Sequence, residues 1–86
     1  MPVTVSNLRM ESCNIAVDVE GSPDRSGTLE ISISDNLLEA RQVQLTLRTH
    51  TEFFTVERNG KTLNVEAKLK SDSDTSTKQQ MLKFCT

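Results

Sequence analysis

The chain has 86 residues, a formal charge of −2, 35% apolar residues and three Phe with no Tyr or Trp. A single domain of this size buries a smaller share of its surface than a larger one, and an apolar share below the usual ~45–50% leaves a thin core of Val, Ile and Leu. The acidic balance argues against general polyanion binding, and no stretch approaches the ~18 apolar residues of a membrane-spanning helix.

In chain order, Pro2 to Ser6 reads as a short strand with Val3 and Val5 on one face. Leu8 and Met10 have the opposite parity, and a one-residue bulge near Ser6-Asn7 would bring them to the same side. Cys13 to Glu20 alternates cleanly, with Cys13, Ile15, Val17 and Val19 inward. Gly21 to Gly27 (GSPDRSG) reads as a loop. Thr28 to Asp35 follows as a strand with Leu29, Ile31 and Ile33 inward, and the two strands are expected to form a longer hairpin. Asp35-Asn36 can cap one turn over Leu37 to Arg41. That segment is too short for a stable helix, so a loop or a 3₁₀ turn is expected, with Leu37 and Leu38 plugging the end of the core. Gln42 to Thr49 is a third strand, with Val43, Leu45 and Leu47 inward.

Phe53 to Leu69 (FFTVERNGKTLNVEAKL) holds the strongest local signal. Asn-Gly suits a type I′ turn, which needs φ > 0 at both central residues. A hairpin about Asn59-Gly60 sets Val56 opposite Leu63 and Phe54 opposite Val65, with their apolar residues on one face. Ser71 to Lys78 (SDSDTSTK) has no apolar residue, whereas Gln79 to Thr86 (QQMLKFCT) does. The chain therefore divides into an antiparallel β domain over 1–70, a polar linker or loop over 71–78 and an apolar C-terminal strand or arm over 79–86. The expected fold is all-β, with six or seven short antiparallel strands in a sandwich or partly open barrel. A single antiparallel sheet with a short C-terminal helix is the alternative. The strand count is that of immunoglobulin-like domains and the size fits oligonucleotide-binding barrels. The Cys…Trp…Cys framework of the first and the stacking aromatics of the second are both missing, so neither resemblance is carried by residues.

Motifs for chemistry are sparse. There is no Walker loop, GxGxxG or GxSxG among only three glycines. His50, the sole histidine, and Glu52 share a strand face, but two ligands do not make a zinc site. Asp72 and Asp74 lack the Gly and the terminal Glu of a calcium loop. No cofactor, metal or catalytic residue is therefore expected. Cys13 and Cys85 are the only cysteines. A bridge between them would close nearly the whole chain and add about 4 kcal/mol. The N-terminus has no secretion leader, which points to a cytoplasmic protein with free thiols.

Contact surfaces are the better lead. Gln42, Gln44 and Thr46, with Ser32 and Ser34, give an outward face that is polar yet uncharged. Met81, Leu82 and Phe84 form an apolar knob beyond the polar stretch, and Phe53 has outward parity in the hairpin. These residues make the expected function a non-enzymatic protein–protein binding or assembly module, its partner another chain, self or foreign. Single-stranded nucleic-acid binding through Arg48, Arg58, Lys61, Lys68 and Lys70 is the first alternative, opposed by the acidic balance and few aromatics. A small enzyme or ligand carrier around His50 is the second.

Overall fold

The computed structural model describes residues 3–21, 25–45, 48–71 and 74–86, excluding the Arg25 side chain. The described residues form seven strands and no helix: β1 (Thr4–Glu11), β2 (Asn14–Glu20), β3 (Arg25–Ile33), β4 (Asn36–Leu45), β5 (His50–Thr55), β6 (Thr62–Ser71) and β7 (Asp74–Lys83). They make two antiparallel sheets, ordered β1-β2-β5 and β4-β3-β6-β7. The all-β sandwich expected from the alternation is the fold. In a constant-type immunoglobulin sandwich the first, second, fifth and fourth strands face the third, sixth and seventh. Here β4 has changed sheets to pair with β3.

The alternation predicts faces well. Ile15, Val17, Val19, Leu29, Ile31, Val43 and Leu45 are all buried. The bulge expected in β1 is present: the register shifts between Val5 and Asn7, so Val5 and Leu8 both reach the core. Pairing partners are another matter. β2 and β3 are not a hairpin, because they belong to opposite sheets. Strand β3 also begins before the end of the expected loop, and Gly27 pairs with Val43 inside it. The Asn59-Gly60 hairpin does not form either. Phe54 lies beside Ile15 of β2, Val65 beside Ile33 and Gln80, and residues 56–61 carry the chain between sheets. Phe54 and Val65 do share the core, from strands of opposite sheets. Gly60 keeps a positive φ of 69° as part of that connection.

The tight hairpins sit at unexpected places. Ser12-Cys13 joins β1 to β2 with φ of 52° and 65°, and Ser34-Asp35 joins β3 to β4 with φ of 50° and 68°. Both are two-residue loops with φ > 0 at each central position, the I′ pattern whose twist matches the flanking strands. Cys13 is thus a turn residue and not the first inward residue of β2. The turn at Ser34-Asp35 replaces the expected helical turn or loop: Leu37 to Arg41 is strand. A register shift opposite Ile31/Ser32 leaves Leu38 as an extra residue, since Ile31 faces Glu39 and Ser32 faces Leu37. Leu37 and Leu38 are consequently 60% and 43% exposed instead of plugging the core.

The expected 71–78 linker is also replaced. Ser71 ends β6 and pairs with Asp74, and Asp74–Lys83 is one strand along β6. Asp72, Leu47 and Thr46 lie outside the described residues. A polar run can form a strand where one side packs on its neighbour and the other faces water. The last strand therefore completes its own sheet.

Cys13 and Cys85 form a disulfide, with Cα atoms 5.5 Å apart, which corrects the expectation of free thiols. Position in the fold decides this: the β1–β2 turn and the C-terminal tail emerge at the same end. The loop-entropy account assigns such a closure about 4 kcal/mol, useful in a core this thin. Phe54→Ala, at a fully buried ring, is expected to cost about 3–5 kcal/mol. Phe53→Ala, at a half-exposed ring, should stay within about 0.5 kcal/mol. Urea unfolding of the two variants checks both values.

Candidate functional site

Two places gather side chains at the margins of the core. The first lies at the bridge end of the sandwich. There the β3–β4 turn, the 56–61 connection and the C-terminal tail converge around a pocket of about 260 Å3. Ile33, Leu38, Val56, Leu63 and Phe84 form apolar walls, and Glu57 and Asn59 supply the polar rim. The local sequence explains its shape. Leu38 is turned toward it by the bulge, and Asn59 Oδ1 accepts from the Lys61 amide at 2.9 Å, tightening the connection. The tail is held by Phe84 N–H to the Lys61 carbonyl (2.9 Å) and by Gly60 N–H to the Cys85 carbonyl (3.0 Å). Phe84 is 2% exposed, so the tail seals the core and walls the pocket with the same ring. Glu57 has no ion-pair partner among the described residues.

The second place is the margin between β4 and β5, the outer strands of the two sheets on one side. Arg41 has the inward parity of Val43 and Leu45. Its guanidinium reaches Glu39 (2.7 Å), Glu52 (3.1 Å) and the Phe53 carbonyl (2.9 Å), and lies 4.1 Å from the Phe54 ring centre. Burial works against its charge, but the hydrogen bonds to Glu52 and Glu39 outweigh this and hold its pKa above the ordinary value. His50 Nε2 contacts the other oxygen of Glu52. His50 and Glu52 thus do pair at the sheet margin, but Arg41 already engages the carboxylate. No group of three or more possible metal ligands occurs among the described residues.

The residues singled out from sequence do not converge. Phe53 is 47% exposed on the outer face of the three-stranded sheet, paired with Ala16. Met81 is 56% exposed on β7, while Leu82 is 8% exposed and belongs to the core together with Phe84. Gln42 and Gln44 are exposed on β4, the outer face of the four-stranded sheet, where Gln42 hydrogen-bonds Thr28 (3.3 Å). Thr46 lies outside the described residues. Two of the basic residues lie beside an acid: Lys70 is 3.5 Å from Glu30, which pairs with Lys68 across the strands. Sequence reasoning missed the pocket and Arg41. Extending β4 back to residue 36 would have shown Arg41 inward. The pocket needed the bulge, which has no sequence signature.

Compared with known proteins, the chain matches no family model, no curated protein and no solved structure. Function therefore rests on the geometry.

Arg41→Ala should cost about 1–3 kcal/mol, since it removes a multiply bonded guanidinium and leaves the largely covered Glu52 with a weaker partner. Arg41→Lys should recover less than half, because an ammonium cannot bridge two carboxylates and a carbonyl in one plane. Urea midpoints of the two variants decide this.

Proposed function

We propose that the protein is a non-enzymatic binding module that takes an apolar side chain of a partner protein into the pocket at its bridge end. The observation that carries this is the apolar pocket itself, with the exposed Leu38 in its wall and the exposed Leu37 next to it in sequence. Its volume lies just below the ~300–1,000 Å3 of small-molecule sites, which suits one large side chain better than a cofactor. Exposed leucines beside such a depression add contact area that isolated surface residues do not. The single charge in the lining is Glu57. A partner segment that sets Lys or Arg beside its Leu or Phe would satisfy that carboxylate at the rim. His50, six residues before Val56 along an extended strand, sits about 20 Å away, so the histidine adds no chemistry to this pocket.

The disulfide also bears on where the protein works. Cytosolic thiols are kept reduced, whereas oxidising compartments preserve such bridges. We infer an oxidising compartment in place of the cytoplasm expected from the N-terminus. Intact mass of the protein isolated from its source, with and without alkylation, should show no free thiol.

The binding proposal is tested by titrating isotope-labelled protein with a lysine-flanked leucine peptide. Chemical-shift changes should centre on Ile33, Leu38, Val56 and Leu63. Leu38→Glu should weaken binding at least tenfold while leaving the urea midpoint nearly unchanged, because Leu38 is 43% exposed. Equal binding by an alanine-substituted peptide would defeat the reading.

A further inference from the structure

We propose that the Cys13–Cys85 bridge is a redox gate on the pocket: closed, it holds Phe84 as a wall, and opened, it lets the tail withdraw and enlarges the site. The inference rests on reading that pocket as the binding site. Three observations combine. Strand β7 ends at Lys83, so Phe84, Cys85 and Thr86 lie beyond the ladder. Outside the bridge, the backbone of this tail is tied to Gly60 and Lys61 by two hydrogen bonds, and these partners belong to a connection rather than a strand. A Cβ at Gly60 would fall 2.4 Å from the Thr86 side-chain methyl, so the tail lies close against the connection at a residue whose φ of 69° itself favours glycine. The bridge is the one covalent tie on this tail, and the ring next to it is a pocket wall.

Turn chemistry does not account for Cys13. A position with φ of 65° favours Gly, Asn or Asp. A cysteine there is explained by its sulfur, which reaches the tail. Both cysteines are half-buried, so a reagent can approach. The partner reagent is a dithiol. Its thiolate attacks one sulfur of the bridge, the S–S bond breaks, and a mixed disulfide forms with release of one protein thiolate. The second reagent thiol, as thiolate, then displaces the other protein sulfur and closes a cyclic disulfide. The protein gains two electrons and two protons, and the reagent loses them.

Hydrogen exchange and peptide binding test the gate together, in oxidised protein, in protein reduced with dithiothreitol and in Cys13→Ser/Cys85→Ser. The expected result is at least tenfold faster exchange at the Gly60 and Phe84 amides, with β2, β3 and β6 amides still protected. A lysine-rich peptide carrying one tryptophan should bind at least tenfold tighter to the two open forms. Phe84→Ala with the bridge intact should reproduce the tighter binding, which separates loss of the wall from the chemistry of reduction. Unchanged exchange at Gly60 and Phe84, or equal acceleration across both sheets, would overturn the gate. Accelerated exchange confined to the tail, with no peptide bound in any form, would support the gate and defeat the pocket as a binding site.

Discussion

Everything in this molecule depends on two sheets having to bury apolar faces made almost entirely of medium-sized aliphatic side chains. Ile15, Val17 and Val19 on β2, Leu29 and Ile31 on β3, and Val65, Ala67 and Leu69 on β6 are all within 1% of full burial. Each of these strands is central in its sheet. Buried apolar area is the main favourable term in folding, and strands this short and this polar on their outer faces can obtain it only face to face. The chain therefore changes sheet between β2 and β3, β4 and β5, and β5 and β6, and stays in one sheet at β1–β2, β3–β4 and β6–β7. Each crossing serves the core at the expense of a local hairpin.

That rule explains what could be read from the sequence and what could not. Parity is a property of one strand, so Val43 and Leu45 inward and Gln42 and Gln44 outward followed from alternation alone. The β1 bulge followed too, because Val5 and Leu8 conflict in parity unless one residue is extra. Pairing is a property of two strands and of the core between them. Asn59-Gly60 satisfies a hairpin locally, and its flanks alternate in phase, yet Phe54 gains more by packing across the layer than beside Val65. Facing strands in opposite sheets and paired strands in one sheet present the same pattern in sequence. The tight turns at Ser12-Cys13 and Ser34-Asp35 were hidden for the opposite reason: neither dipeptide contains Gly or Asn, and Asp35 is the only one of the four residues that favours φ > 0. Without the second, the sequence places Leu37 and Leu38 in the core, and with Leu38 a wall of the candidate site.

Closing the sides of a sandwich is a separate problem, since outer strands expose unpaired backbone groups that can recruit other chains. One side is closed by β1 against β7, where Ser76 Oγ accepts from the Val5 amide at 3.0 Å. The other side is closed by charge. Glu39 and Arg41 on β4 and His50 and Glu52 on β5 have inward parity at the margin, and Arg41 occupies the Phe53 carbonyl, a backbone acceptor on the free edge of β5. Inward charges on outer strands are a recognised protection against edge-to-edge pairing. The His50–Glu52 pair is accounted for by this duty, which is why its proximity is weak ground for catalysis.

With both margins occupied, recruitment by strand addition is the less favoured route to a partner, and the argument turns to the ends. At the bridge end, apolar side chains meet water because of backbone geometry: a bulge turns Leu38 outward, a φ > 0 turn lifts Leu37, and the 56–61 connection leaves Val56 and Leu63 incompletely covered. A protein short of core residues would ordinarily use these groups to extend its core. Leaving Ile33, Val56 and Leu63 only partly buried and Leu38 exposed around a pocket costs stability that the disulfide at the same end helps to offset. The proposed binding role and the bridge are thus two consequences of one local arrangement: the site is open because the tail covers it only in part, and the tail is held by the Cys13 bridge together with the buried Phe84 ring and two backbone hydrogen bonds.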